Sequence, residues 1–224
     1  MGAARRSREE RAGERTGTRR PRWRRRAEER PDEILDAALA EFDERGFDAT
    51  RVEDVAARAG ISKAGVYLYF DSKEEILRGL VEREIAPVAR RMRALAEAGG
   101  DDPVATLGAI VAAMMTLIEN PRVFAVPRLV LSVSGRFPEI GVHYRKNVVE
   151  EGLAAFSALL AAGIEKGAFR PVDPTTAARA MIGPILIHAM WTHVLGGETG
   201  DAPPAERARA HVDLLMRGLR AQAA

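Results

Sequence analysis

Apolar residues recur at helical spacing from the first third of the chain onward, and no long run alternates apolar with polar. Ile34, Leu35, Ala38, Leu39 and Phe42 form a stripe that predicts a helix over 31–45. Pro31 suits its first position, with Asp32 and Glu33 at the positive end of the helix dipole, and Gly46 stops it. A second helix, ending near 59, opens with a capping box at Thr50-Arg51-Val52-Glu53 and turns Val52, Val55 and Ala56 inward. Gly60 ends it and Ile61 anchors the turn. A third helix, 62–70, is capped by Ser62 and directs Val66 and Phe70 inward. Ser72-Lys73-Glu74-Glu75 caps a fourth.

Helical periodicity then continues almost to the end. The fourth helix runs past Pro87, which should kink it, to about 98. Five more are predicted, at 103–119, 121–134, 138–166, 174–195 with Pro184 inside, and 204–221. The fold class is all-α, about nine helices in total, in three parts: an arm at 1–30, a helix-turn-helix unit at 31–82 and a larger helical domain at 83–224.

Charge divides the chain along the same lines. Residues 1–30 carry 12 Arg against 5 Glu, while 31–82 carry 6 basic and 13 acidic groups, all within a formal net charge of only +2. The arm is densest around Arg22, Arg24, Arg25 and Arg26, and with few apolar side chains it should be mobile when free. Two readings stay open: a solvated extension, or an arm that follows a phosphate backbone or enters a minor groove.

Composition narrows the chemistry. With no cysteine, disulfides, thiolate catalysis and Cys-ligated metals are excluded. His143, His188, His193 and His211 lack metal-motif spacing, no nucleophile triad or phosphate loop is visible, and no cofactor is called for. No strongly apolar stretch of membrane-spanning length and no secretory apolar region is apparent, so a cytoplasmic protein with no membrane partner is expected.

Two short helices joined by a glycine-containing turn place the second in a DNA major groove, braced by the first. Its outward residues are Lys63, Ala64, Gly65, Tyr67 and Tyr69. Lys63 offers a donor to guanine or phosphate. Gly65 costs about 1 kcal/mol inside a helix, and so marks either close approach to DNA or packing tolerance. Tyr67 and Tyr69 are either DNA contacts or half-buried core. Thr50, Arg51, Ser62 and Lys73 stand at helix N-termini, where a phosphate is favoured.

The run ILDAALAEFDERGFDATRVEDVAARAGISKAGVYLYFDSKEEIL, residues 34–77, closely resembles the DNA-binding domain of the tetracycline-repressor (TetR) family. The resemblance implies that the third helix reads the major groove through Lys63, Ala64, Gly65, Tyr67 and Tyr69, and that Thr50, Arg51 and Lys73 clamp phosphates. Where the family usually has a threonine or serine, this chain has Gly65, so one hydroxyl donor is missing from the reading face. Residues 135–191, from GRFPEIGVHYRKN to IGPILIHAMW, are similar to multidrug-efflux-type regulators of the same family. This implies an effector-binding, dimerising domain whose last two helices form a four-helix interface, with Ala178, Leu186, Ala189, Val212, Leu215 and Leu219 as candidates.

Met114, Met115, Ile118, Phe124, Met181, His188 and Trp191 are candidates for an adaptable apolar pocket, core packing being the alternative for each. No buried charge stands out there as a counter-ion, which points to a neutral or amphipathic effector. The expected function is a homodimeric repressor released from a palindromic operator by such a ligand, through movement of the fourth helix. A ligand-independent or architectural regulator is the alternative, and an all-helical enzyme a remote one.

Overall fold

The computed structural model describes residues 22–99, 101–198, 200 and 202–219, with side chains from Arg30 onward except that of Pro204. Among these residues there are nine helices and no strand. They are α1 (Arg22–Arg45), α2 (Val52–Arg58), α3 (Lys63–Tyr67), a long α4, α5 (Pro103–Ile118), α6 (Pro121–Val133), α7 (Pro138–Glu165), α8 (Pro174–His193) and α9 (Pro204–Leu219). α4 is continuous through Lys73–Leu80, a π-helical turn at Val81–Ile85, and Ala86–Ala98.

Local chemistry sets most of these boundaries. Gly46 and Gly60 adopt φ of +80° and +66°, a left-handed backbone that glycine takes without strain. The side chains of Ser62, Ser72, Asp102, Asn120 and Asp173 each accept a backbone N–H at the start of the helix that follows. Pro87 has no N–H to give to a carbonyl of the preceding turn, and the wide π turn lies immediately before it.

Three expectations are corrected. α1 begins at Arg22, so Pro31 lies inside the helix and not at its first position. The cap of α2 is Arg51, whose N–H donates to Asp54 at 3.0 Å, not the Thr50–Glu53 pair. α7 is long and apolar enough to cross a membrane by length and composition. Its Phe156, Leu159 and Leu160 are nevertheless buried in a core shared with α5 and α8.

Two cores organise the chain. The first gathers Ile34, Ala38 and Phe42 of α1, Val55 of α2, Val66 of α3 and Ile76, Leu77 and Leu80 of α4. It also takes in Val126, Leu129, Val130 and Val133 of α6 and Ile140 of α7. Each Val, Leu, Ile or Phe among them contributes about 1.5–3 kcal/mol on full burial, so α6 helps to stabilise the N-terminal helices it packs against. The second core joins α5, α7, α8 and α9 around Leu107, Ile110, Phe156, Leu160, Met181 and Ile185.

Candidate nucleic-acid interface

α2 is fixed to α1 by a polar clamp as well as by its apolar face. Arg58, in the last turn of α2, forms paired bonds to Glu44 at 2.8 and 2.5 Å. Its Nε also lies 2.8 Å from the buried Glu41. α3 is held by Val66, fully buried on its inner side, and by Ser62 Oγ, which accepts the Gly65 N–H at 3.1 Å.

That anchoring leaves Lys63, Ala64 and Tyr67 exposed on one side of α3, with Gly65 partly covered and Tyr69 exposed just beyond. Lys63 Nζ lies 2.6 Å from Glu53 Oε1 of α2 and 5.7 Å from the centre of the Tyr67 ring. The hydrogen bond raises the Lys63 ammonium above its ordinary range and lowers the Glu53 carboxyl below its own. A Cβ added to Gly65 would meet Ser62 Oγ at 3.4 Å and Ile61 carbons at 3.6 Å, close to ordinary contact. Packing within the chain therefore does not demand glycine there.

Two expected phosphate clamps are engaged internally. Thr50 is buried, and its hydroxyl donates to the carbonyls of Gly46 at 2.8 Å and Glu41 at 3.1 Å, closing the end of α1. Lys73 Nζ donates to the carbonyls of Phe47 at 2.5 Å and Thr50 at 3.0 Å, and stands 4.4 Å from the centre of the Phe47 ring. Burial pushes its ammonium below the ordinary lysine range. Arg51 remains exposed. Arg22, Arg24, Arg25 and Arg26 stand on the first turns of α1, and their side chains lie outside the described part of the structure, as do residues 1–21.

The candidate pocket residues do not form one wall. Met115 and Met181 are buried in the second core, against which Met114 and Ile118 pack. Phe124 is buried with its ring 5.9 Å from that of His193. Trp191 is half exposed and donates its Nε1–H to the Glu198 carbonyl at 3.1 Å. A cleft of about 600 Å³ lies instead between α4 and α7, floored by Ala96, Ala155, Leu159 and Ala162.

A polar cluster that sequence patterning gave no sign of stands beside the methionines. Glu119 Oε1 lies 2.5 Å from Arg207 and 3.3 Å from His188 Nε2, with all three side chains largely buried. Burial opposes ionisation of Glu119, but the hydrogen bonds from Arg207 and His188 outweigh it and hold the carboxyl below its usual range. The expectation that no buried charge stands out in this half is therefore corrected. Glu119 and Arg207 are 88 residues apart, so only tertiary structure reveals the pair.

The candidate interface residues divide similarly. Ala178, Ala189 and Leu219 are buried within the single chain, and Val212 and Leu215 pack partly against its core. Leu186 is exposed, in a stripe with Ile187, Met190, Trp191 and Val194. The three buried candidates are corrected, because they occupy the inward faces of α8 and α9.

Comparison with known proteins matches both halves. Residues 34–80 fit the profile of bacterial regulatory proteins of the tetR family, and residues 105–217 that of an AefR-like transcriptional repressor C-terminal domain. The chain is 31% identical over 151 residues to the HTH-type transcriptional regulator YfiR of Bacillus subtilis, covering 66% of this chain and 71% of YfiR. It is 30% identical over 201 residues to the HTH-type transcriptional repressor KstR2 of Rhodococcus jostii, covering 85% and 91%. The solved TetR-family regulator PfmR of Thermus thermophilus superposes with a TM-score of 0.62 at 32% identity, covering 82% of this chain and 97% of PfmR. With an exposed α3 braced by α2 and both halves matched, the chain belongs to the TetR family of bacterial regulatory proteins and is a helix-turn-helix transcriptional repressor, not an enzyme.

Proposed function

We propose that two copies of this chain bind a palindromic operator, with α3 of each copy in successive major grooves. The observation that carries this reading is the division of α3 between a buried Val66 and an exposed Lys63, Ala64 and Tyr67, with Gly65 partly covered between them. Tyr69 and Arg51 flank that face, and Arg22, Arg24, Arg25 and Arg26 at the start of α1 supply phosphate contacts. The exposed stripe on α8 supports a homodimer, which brings two small reading heads to half-sites roughly 34–36 Å apart. Such a repressor works in the cytoplasm.

The test is DNA binding by fluorescence anisotropy, with duplexes enriched from a random-sequence library. Lys63→Ala and Tyr67→Phe weaken the enriched duplex more than a scrambled one, while circular dichroism stays unchanged. Equal losses on both duplexes would reassign Lys63 to a phosphate.

The effector reading is an amphipathic small molecule. Met114, Met115, Ile118 and Met181 offer it an apolar wall, and Glu119, His188 and Arg207 beside them offer a polar end. Operator and effector must then weaken each other by the same factor, about 5–150-fold for a coupling of this kind. The burial of Met115 and Met181 among the side chains of the second core favours a second reading, a regulator that needs no ligand. A molecule that binds the helical half and leaves operator affinity unchanged would count against induction through that site.

A further inference from the structure

Leu68, immediately after α3, exposes 80% of its surface, more than any other large apolar side chain among the described residues. The next most exposed, Leu214, Leu195 and Ile187, lie on α9 or on and just past α8, the helix whose exposed stripe is proposed to meet a second copy of the chain. Leu68 belongs to the other half of the molecule. It stays in helical backbone conformation, one turn after Ala64 and three residues after Gly65. A helical side chain leans over the turn N-terminal to its own Cα, so Leu68 reaches toward the two smallest residues of α3. The outer face is thus divided in two: Lys63 and Tyr67 carry hydrogen-bonding groups, while Ala64 and Leu68 carry none.

We propose that Leu68, backed by Ala64, is a specificity-determining residue that reads the C5-methyl group of a thymine in the operator half-site. The proposal rests on α3 being the reading helix. Among the base edges of the major groove, the thymine methyl is the apolar one; the others present donors and acceptors. A leucine pressed against a guanine, adenine or cytosine edge strips water from a polar group and returns no hydrogen bond. Against a methyl group it excludes water at no such cost. Burying one methyl corresponds to roughly a fourfold gain in affinity, or about fifteenfold when both half-sites of a dimer use it.

The experiment uses the full chain and duplexes enriched from a random-sequence library. Each thymine of the enriched duplex is replaced in turn by deoxyuridine, which removes the methyl and leaves pairing intact. At one symmetric position the replacement weakens the wild-type protein by roughly fourfold per half-site. Leu68→Ala binds the thymine duplex more weakly by a similar factor and is indifferent to that replacement. Leu68→Met keeps an apolar side chain and keeps the sensitivity, and Lys63→Ala keeps it too. Because the side chain is exposed, thermal unfolding of Leu68→Ala matches the wild type. The proposal is overturned if Leu68→Ala responds to every deoxyuridine as the wild type does. A chain that enriches no sequence overturns the reading-helix assignment itself, a different and recognisable failure.

Discussion

Lys63 Nζ lies 2.6 Å from Glu53 Oε1, so the one basic side chain on the outer face of α3 is already paired with an acid of α2. Both groups are about half exposed, and such a pair contributes little to stability. For DNA binding it has a direct consequence: a base or phosphate takes the ammonium only by displacing a carboxylate, which itself repels the backbone. Glu53→Gln is therefore expected to strengthen binding to enriched and scrambled duplexes by a few-fold, most at low salt. Anisotropy titrations at two salt concentrations check this. Unchanged affinity would mean that the ion pair has no part in recognition.

Lys73 gives a contrasting expectation, because its ammonium holds the α1–α2 turn against the start of α4. Lys73→Ala leaves the carbonyls of Phe47 and Thr50 without this donor, which costs about 1–3 kcal/mol for groups that are not resolvated. The thermal midpoint should fall while the salt dependence of DNA binding holds. A lost phosphate contact would instead reduce the log–log salt slope by about 0.9 per site. A reduced slope with an unchanged melt would restore Lys73 as a clamp.

The two lysines show what could be read from sequence and what could not. The caps read at Ser62 and Ser72 act on a backbone N–H three residues ahead, so spacing alone reveals them, and Asp102, Asn120 and Asp173 act over the same short range. Gly46 and Gly60 announce themselves in the same way. The targets of Thr50 and Lys73 are turn carbonyls, which every residue has and no residue type marks. The inward faces of α8 and α9 depend on where α5 and α7 lie, so the helical period of Ala178 and Ala189 could not show that they face the core and not a partner, nor that of Trp191 that it is half exposed. Pro31 followed a sound local rule for helix starts, but α1 continues before it.

The shared first core makes a prediction about the domain boundary. Val126, Leu129, Val130 and Val133 of α6 complete the apolar cluster around Phe42 and Leu80. Arg136 adds an ion pair to Asp48 at 3.0 Å, and Arg128 pairs with Asp43. A fragment ending at residue 82 exposes this core and should show weak, non-cooperative melting by circular dichroism. A fragment that melts as sharply as the full chain would mean that α6 merely rests on the N-terminal helices.

Ile187 tests the dimer. It is 65% exposed in the stripe of α8 that includes Leu186, Met190 and Val194. Ile187→Asp should shift the protein to monomer in sedimentation without loss of helicity, and operator affinity should fall with it. Ala178→Asp should instead destabilise the single chain, because that residue is fully buried. A dimer that survives Ile187→Asp places the interface elsewhere.

Acid sensitivity should be traceable to His211. Burial pushes its imidazole below the ordinary value of 6.5, even against a hydrogen bond to the Met181 backbone and beside His188, and its Nε2 has no partner. Since the depressed value belongs to the folded state, the unfolded chain binds the proton first as pH falls. The stability is therefore complete above about 6.5 and declines as pH drops through the folded value. Glu119 is held below the ordinary carboxylate value of 4.5, so its pairing with Arg207 is lost only in more acid solution. The thermal midpoint should fall between pH 7.5 and 5.5, and His211→Asn should flatten that fall while preserving the plateau near neutrality. If the midpoint of His211→Asn falls with pH as far as that of the wild type, the titrating group is not the imidazole that α9 holds against Met181.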